Sequence, residues 1–336
     1  MNTFDISDIK TLLSEPRRIA ITMHAKADGD AIGSSLGLYH YLKQKGHRVE
    51  VVSPTDYPEN LKWIAGTEDV QIGPNDPDRA SWTFEGADLI FCLDFNAIHR
   101  LNDFAGSVED SMAKKIMIDH HMEPTGFHDL AYWDDEASST AELIYRLVDD
   151  LEDLDKLNED MAEALYTGIL TDTGSFRFTN TSPKVHKIVG HLLEAGADNH
   201  KIHESIYSNF SMDRVKFLGH ALLNCLHVKP ELKTAYILLN KEVFKTFNLK
   251  SGDTEGLVNY ALSIDGIKLG ALISTQEDIV KFSLRSRDNV SASQLAQHFG
   301  GGGHFYAAGA RITASIEEAE QKFLELLEEE KTMLTS

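Results

Sequence analysis

Three short apolar runs in this chain each end on residues of types that bind metal ions. The runs span residues 19–23, 89–93 and 116–118, and the residues that follow them are His24, Asp94, and the triplet Asp119, His120 and His121. Short runs rich in branched residues and bounded by polar ones are typical of buried parallel strands. In open α/β sheets, ligands bind beyond the carboxyl ends of such strands. The sequence therefore predicts a sheet that presents histidine and aspartate side chains at one edge.

Strand and helix patterns alternate through the first half of the chain, which predicts an α/β fold with a doubly wound, mainly parallel sheet. Helical patterns cover residues 31–45, 139–151, 158–170 and 182–194. In the second half, strand patterns over 235–239, 268–274 and 279–285 and helical patterns over 292–299 and 316–330 predict a smaller α+β domain. We therefore expect a catalytic domain over residues 1–198, a linker over 199–214 and a second domain over 215–336.

The loop after the first run carries a dense set of metal-binding side chains. It contains His24, Asp28 and Asp30, with Gly29 between the two aspartates, where a glycine lets the backbone turn tightly. Two carboxylates this close repel each other unless a cation lies between them. The alternative is that Asp28 or Asp30 caps the following helix. A fourth candidate, Asp172, lies in the sequence Thr-Asp-Thr-Gly-Ser.

Histidine and carboxylate ligands in combination suit divalent manganese, with magnesium, cobalt, iron or zinc as alternatives. Two such ions roughly 3.5–4 Å apart can clamp a phosphate, activate a water and stabilise the leaving oxygen. The sequence therefore predicts two divalent metal ions and phosphoester hydrolysis.

The net charge of −21 limits the partners of this 336-residue chain. Tight binding to duplex nucleic acid usually relies on many lysine and arginine contacts to phosphates. We therefore expect no binding to long duplexes or to membranes, whereas small phosphorylated ligands are compatible with a local cationic or metal-filled pocket. The chain has only two cysteines, no apolar signal core and no apolar stretch long enough to span a bilayer, so we expect a cytoplasmic protein.

Taken together, these motifs resemble those of the DHH phosphoesterase superfamily. The four matching elements are His24-x-x-x-Asp28-x-Asp30, Asp94, Asp119-His120-His121 and Asp172-Thr-Gly. The later sequence Gly300-Gly-Gly-Gly-His304, followed by Ala307-Ala-Gly, resembles the signature of the DHH-associated substrate domain. The two-domain layout resembles the branch with nanoRNase and phosphoadenosine-phosphate phosphatase activity. This resemblance implies an active site in the cleft between the domains.

The resemblance also implies roles for individual residues. One metal ion would be held by His24, Asp28 and Asp94. The other would be held by Asp30, Asp94, His120 and Asp172, so that Asp94 bridges the two. Asp119 would orient a histidine ligand, and His121 would contact the scissile phosphate or assist proton transfer.

Substrate contacts are predicted in both halves of the chain. Glycines 301–303 allow a close approach of backbone amides to an anion, although a bare glycine run is also common as a hinge or helix stop. By resemblance, Arg285 and His304 would hold the terminal phosphate or base of a short nucleotide. The complete set of candidates is Arg100, Arg177, Arg285, Ser286, Gly301, Gly302, Gly303 and His304. For Arg177, an ordinary surface ion pair is an equal alternative.

The function predicted from these features is a manganese-dependent phosphohydrolase. It would release 5′-mononucleotides from short oligoribonucleotides and remove the 3′-phosphate of 3′-phosphoadenosine 5′-phosphate. One alternative is a phosphodiesterase for cyclic dinucleotides such as c-di-AMP or for their linear products. An alternative of another class is a nucleotide-binding regulator without turnover. The partner is expected to be a short oligoribonucleotide or small nucleotide, and a homodimer is among the expected forms of the protein.

Overall fold

The computed structural model describes residues 6–250, 252–276 and 279–335, and for Gln276 and His304 it describes the backbone alone. The chain divides into two compact units, Met1–Asn209 and Phe210–Ser336. This division falls inside the segment 199–214, where the sequence predicts a linker. Each unit has its own sheet and its own core.

The first unit is built on a six-stranded sheet, counted within the described residues. Its strands are β1 (Arg18–Met23), β2 (Arg48–Ser53), β3 (Gln71–Ile72), β4 (Leu89–Leu93), β5 (Lys114–Asp119) and β6 (Leu130–Trp133). Its α-helices are α1 (Ile6–Leu12), α2 (Gly29–Gln44), α3 (Pro77–Glu85), α4 (Ala105–Glu109), α5 (Thr140–Asp150), α6 (Glu159–Asp172), α7 (Pro183–Glu194) and α8 (Asn199–His203). All neighbouring strands pair in parallel.

Successive side chains of the central strands enter two different cores, which shows that both faces of the sheet are covered. In β1, Ile19 and Ile21 pack in the core shared with α2, α5 and α6, whereas Ala20 packs in the core shared with α3 and α4. In β4, Phe91 packs in the first of these cores and Cys92 packs in the second. The predicted fold class, a doubly wound parallel sheet followed by a smaller α+β domain, is therefore confirmed.

The strand order places the first two metal-binding motifs side by side. The sheet runs β3-β2-β1-β4-β5-β6, so the chain moves outward in one direction from β1 and then returns to continue from β4 on its other side. In sheets of this kind the ligand crevice lies at the point where the order reverses. His24 follows β1 and Asp94 follows β4. The topology thus brings these two side chains to the crevice.

A stripe of glycines lets α2 and α6 pack closely. Gly29, Gly33 and Gly37 lie at intervals of four residues, which places them on one face of α2. A Cβ atom at Gly33 would lie 2.4 Å from the Ala164 carbonyl oxygen, and one at Gly29 would lie 2.4 Å from Thr171 Oγ1. The sequence suggested that Gly29 provides a tight backbone turn. The structure instead places it in the first turn of α2, where it allows the close approach of α6.

The second unit contains a six-stranded mixed sheet in the order β11-β12-β10-β9-β8-β7, again within the described residues. Its strands are β7 (Leu226–Lys229), β8 (Thr234–Leu239), β9 (Leu269–Gln276), β10 (Ile279–Ser286), β11 (Gly302–His304) and β12 (Ala307–Thr313). Its helices are α9 (Met212–Asn224), α10 (Lys241–Thr246), α11 (Leu257–Leu262), α12 (Ala292–Gln297), α13 (Ile316–Glu329) and α14 (Lys331–Thr335). Strands β8 and β9 pair in parallel, and the other pairs are antiparallel. Across the described part of the chain, no helix has the length and apolar character needed to cross a bilayer.

The glycine stripe generates a stability prediction. We expect Gly33→Ala to lower the free energy of unfolding by about 1–3 kcal/mol, because the added methyl group meets rigid backbone of α6. Gly190→Ala is the matched control: it also lies inside a helix, but nothing lies within 4 Å of the added Cβ. That control should gain about 0.5–1 kcal/mol from helix propensity. Urea unfolding of the three proteins checks both signs, and a Gly33→Ala protein as stable as wild type would contradict the packing argument.

Candidate metal centre

The loop after β1 contributes His24 and Asp28. Asp28 is the N-cap of α2, and its Oδ1 accepts hydrogen bonds from the amides of Asp30 and Ala31, both at 3.1 Å. Its other oxygen, Oδ2, lies 3.9 Å from His24 Nε2. The capping role considered from the sequence is therefore present, and it leaves Asp28 Oδ2 facing the histidine. One carboxylate serves the helix and the centre together.

Asp30 is fully buried and faces the first turn of α5. Its Oδ2 accepts a hydrogen bond from the amide of Thr140 at 2.6 Å, and its Oδ1 accepts one from the amide of Ala141 at 2.9 Å. These amides carry the partial positive charge of the helix N-terminus, which favours a negative group. The buried carboxylate is thus held in place by the backbone of another element.

Asp94 occupies the middle of the centre. It follows β4 directly in a left-handed backbone conformation (φ 63°), which is uncommon for a residue with a side chain. Its Oδ2 lies 3.3 Å from His24 Nε2, whereas its Oδ1 lies 3.6 Å from His120 Nε2 and 3.7 Å from His121 Nδ1. The two oxygens of one carboxylate therefore face two different groups of side chains.

The three residues that end the third apolar run, Asp119, His120 and His121, make different contacts. Asp119 is buried, and its Oδ1 lies 2.8 Å from His121 Nδ1. His120 points to the other carboxylates, with its Nε2 at 3.2 Å from Asp172 Oδ2 and 3.9 Å from Asp30 Oδ2. The resemblance implied that Asp119 orients a histidine ligand, and in the structure the histidine it contacts is His121.

Three sets of side chains in the described residues are spaced to hold a cation. The ligand atoms within each set all lie within 4.8 Å of one another. The sets are His24, Asp28 and Asp94; Asp30, His120 and Asp172; and Asp94, His120 and His121. The structure thus brings together every residue that the sequence proposes as a metal ligand. Imidazole and carboxylate groups at this spacing can hold divalent metal ions.

Burial and mutual repulsion shift the ionisation of these groups. Burial raises the pKa of Asp30 well above its ordinary value, and the charges of Asp94 and Asp172 raise it further. The pKa of Asp172 is raised in the same way, by burial and then by neighbouring carboxylates. Burial alone would lower the pKa of His24, but its hydrogen bond to Asp94 and the charge of Asp28 raise it to about 9. Without a cation these three groups therefore hold their protons to a higher pH than the same groups would in water.

One residue of the centre and one residue next to it were missed by the sequence analysis. Thr140, the first residue of α5, donates its hydroxyl to Asp94 Oδ1 at 3.0 Å in addition to its amide contact with Asp30. Asn180 donates its amide to the Ser138 carbonyl at 3.0 Å, next to that helix start. The capping pattern at Ser139 predicts the helix from sequence alone. It does not predict that the first turn of this helix faces Asp30 and Asp94.

Two predicted substrate residues lie in the first unit. The carbonyl of Arg100 accepts a hydrogen bond from the Ala25 amide at 2.8 Å, which fixes its backbone beside the His24 loop. Within the described residues its guanidinium has no hydrogen-bond or ion-pair partner, and its charge reaches His24. Arg177 donates its Nε to the Gly174 carbonyl at 2.6 Å, which ties it to the turn after Asp172.

The remaining candidates lie in the second unit. Arg285 contacts the carbonyl of Leu284 at 3.0 Å and forms no ion pair within the described residues. The hydroxyl of Ser286 donates to the Val290 carbonyl at 2.7 Å, so this group stabilises the turn after β10. Glycines 302 and 303 belong to β11, and a Cβ at Gly301 would lie 2.1 Å from the Gly309 carbonyl oxygen. Close backbone packing thus accounts for Gly301. The side chain of His304 lies outside the described residues.

Comparison with known proteins places the chain in a family. Residues 18–169 match the DHH family, N-terminal domain, and residues 235–332 match the DHHA1 domain. The bifunctional oligoribonuclease and PAP phosphatase NrnA of Thermus thermophilus is 32% identical over 316 residues, which are 94% of this chain and 90% of that protein. The chain belongs to the DHH family.

Two further proteins are similar to this chain over most of its length. The protein of the same description from Bacillus subtilis is 30% identical over 313 residues, 92% of this chain and 93% of that protein. The crystal structure of an exopolyphosphatase-related protein from Bacteroides fragilis has a TM-score of 0.94 and 35% identity, and covers 98% of this chain and 97% of that one. The family assignment thus extends over both units.

The ionisation of His24 generates a pH prediction for the metal-free protein. Because the pKa of His24 is raised from 6.5 to about 9, the folded state holds a proton that the unfolded state releases in this range. The stabilisation is fully present below pH 6.5 and is lost as pH rises through 9. We expect a loss of about 1–3 kcal/mol, since one pKa unit corresponds to about 1.4 kcal/mol.

Urea unfolding of chelator-treated protein at about pH 6.5 and about pH 9 measures this loss of stability. His24→Asn should flatten the dependence, whereas substitution of the exposed His200 by Asn should leave it unchanged. If wild type were equally stable at both pH values, the contact between His24 and Asp94 would not hold the proton.

Proposed function

We propose that this protein is a two-metal phosphohydrolase. In this proposal it releases 5′-mononucleotides from oligoribonucleotides of a few residues and removes the 3′-phosphate of 3′-phosphoadenosine 5′-phosphate. The observation that carries the proposal is the placement of Asp94, whose two oxygens face two separate sets of potential ligands. The names of relatives that match over nine-tenths of the chain support the choice of substrates.

The chemistry of the donor set fits a pair of divalent cations. His24, Asp28 and Asp94 would hold one ion, and Asp30, Asp94, His120 and Asp172 the other. Burial raises the pKa of Asp30 and Asp172, and the charges of neighbouring carboxylates raise it further, which makes positive charge favourable between them. Bound ions would neutralise the scissile phosphate and lower the pKa of an attacking water. We propose manganese as the metal, because the set mixes imidazole with carboxylate.

Three residues of the first unit would act on the substrate directly or through a neighbour. We propose that His121 contacts the scissile phosphate and gives a proton to the leaving oxygen. Asp119, at 2.8 Å from its Nδ1, would orient the ring for this proton transfer. The guanidinium of Arg100 has no partner within the described residues and would bind phosphate oxygens. Arg177, which is tied to the turn after Asp172, is a second candidate for binding phosphate oxygens.

We assign the second unit to the remote end of the substrate. The Arg285 guanidinium would pair with a terminal phosphate, because its planar fork matches phosphate oxygens. The amides of Gly302 and Gly303 would approach the same anion, and no Cβ contact restricts Gly302. With a net charge of −21 the protein would take up short nucleotides and leave long duplexes unbound. A homodimer and a cytoplasmic location remain predictions from the sequence.

The central test compares substrates and one isosteric variant. With manganese supplied, we expect wild-type protein to hydrolyse diribonucleotides and 3′-phosphoadenosine 5′-phosphate faster than cyclic dinucleotides. Asp94→Asn should lower kcat about 1,000-fold, because losing the bridging charge removes several kcal/mol of stabilisation. The exposed Asp78→Asn is the control and should retain wild-type turnover.

The outcomes of this test separate the three candidate functions. Faster hydrolysis of the cyclic dinucleotides would favour the cyclic-dinucleotide phosphodiesterase. Binding of all three ligands without product would favour the regulator. Unchanged turnover in Asp94→Asn would overturn the bridging role.

A second prediction separates binding from chemistry. Arg100→Ala and Arg285→Ala should each raise KM about 10–100-fold with a smaller change in kcat, because a hydrogen bond to a charged group contributes about 1.5–3 kcal/mol. The exposed Arg79→Ala controls for loss of surface charge and should leave both constants unchanged. Steady-state kinetics on 3′-phosphoadenosine 5′-phosphate gives the two constants. A fall in kcat alone for Arg285→Ala would place that residue at the transition state instead.

A further inference from the structure

We propose that Thr140 is a positioning residue of the metal centre, because it holds the carboxylates of Asp30 and Asp94 with two different donors. Its amide donates to Asp30 Oδ2 at 2.6 Å, and its hydroxyl donates to Asp94 Oδ1 at 3.0 Å. The residue is fully buried. This inference rests on the proposed two-metal function. It adds a residue that lies outside the metal-binding motifs.

The start of α5 is fixed independently of any ligand. Ser139 is the N-cap of the helix, and its hydroxyl accepts from the amide of Glu142 at 3.0 Å. The Glu142 carboxylate in turn accepts from the amide of Ser138 at 2.8 Å. The first bond satisfies one free amide of the first turn, and the second ties the residue before the N-cap to the helix. They hold Thr140 rigidly, so that the positions of its amide and hydroxyl are set by the fold.

The hydroxyl of Thr140 controls a torsion that would otherwise be loose. The terminal torsion of an aspartate has a broad distribution, because it joins a tetrahedral carbon to a planar group. A donor at Oδ1 restricts the rotation of the Asp94 carboxylate. That rotation decides whether Oδ1 faces His120 while Oδ2 faces His24. Thr140 therefore sets the orientation in which one carboxylate can serve two cations.

The two donors also link carboxylates that come from different strands. Asp30 belongs to the motif after β1, and Asp94 follows β4. Two carboxylates in one buried centre repel each other when both are charged. One rigid residue that donates to both offsets this repulsion and fixes their separation before a cation arrives. A site held in advance binds metal more tightly, because less order is imposed on binding.

Four proteins isolate the effect of the hydroxyl. Thr140→Val removes it and keeps a branched side chain, while Thr140→Ser keeps it. Thr140→Ala differs from Thr140→Ser by the hydroxyl alone, so wild type against Val and Ser against Ala measure the same loss twice. Thr167→Val is the matched control, since Thr167 is also fully buried and donates its hydroxyl only within α6, to the Glu163 carbonyl.

Calorimetric titration of the metal-free proteins with manganese chloride provides the readout. We expect each removal of the hydroxyl to weaken the binding of manganese about 10–100-fold, as is typical for partners of metal ligands. Thr140→Ser should bind within about threefold of wild type, and Thr167→Val should match it. In a hydrolysis assay, excess manganese should restore most of the turnover of Thr140→Val. A purely structural threonine would not give this recovery.

The possible results separate this inference from the function on which it rests. If wild type takes up no manganese, the proposed function fails and the inference fails with it. If wild type binds but Thr140→Val binds equally well, only the role of Thr140 is overturned. Equal loss in Thr140→Ser and Thr140→Ala would also overturn it, because the hydroxyl would then be irrelevant. The Ser and Ala pair decides the question even if the Val variant does not fold.

Discussion

The candidate metal centre depends on one buried carboxylate, that of Asp94, which lies between two sets of potential ligands. Parallel pairing of β1 with β4 brings His24 and Asp94 to the reversal point of the sheet. The left-handed backbone at Asp94 then turns the side chain into the crevice, which is a conformation that a residue with a Cβ rarely adopts. The order of the strands sets the position of Asp94, and its left-handed backbone sets the direction of the side chain. The hydroxyl of Thr140 sets the rotation of the carboxylate.

The rest of the first unit must stabilise this arrangement against its own charge. Several acidic side chains lie in or beside a buried space, and burial and repulsion raise the pKa of Asp30 and Asp172. Close packing of α2 against α6 holds the ends that carry these residues together, because Gly33 leaves room for the backbone of α6. The buried charges of the centre thus destabilise the fold, and the packing of the surrounding helices stabilises it, as is common at functional sites.

Local signals made most of the metal centre predictable from the sequence. An apolar run that ends on a polar residue locates the carboxyl end of a strand, and this rule found His24, Asp94 and Asp119. The role of Thr140 could not be found in this way, because it depends on where α5 packs. The strand β3 spans only Gln71–Ile72, too short for a periodic pattern, and β6 was missed as well. Gly29 was interpreted through its backbone freedom, whereas helix packing explains it.

The second unit contains a cationic residue, Arg285, that is costly for the fold. Arg285 is partly buried, and burial lowers its pKa although the charge of Glu255 acts in the opposite direction. Within the described residues it forms no ion pair, so its desolvation is poorly compensated. An anionic substrate that pairs with this guanidinium would supply the missing charge, which is the physical reason to expect a phosphate there.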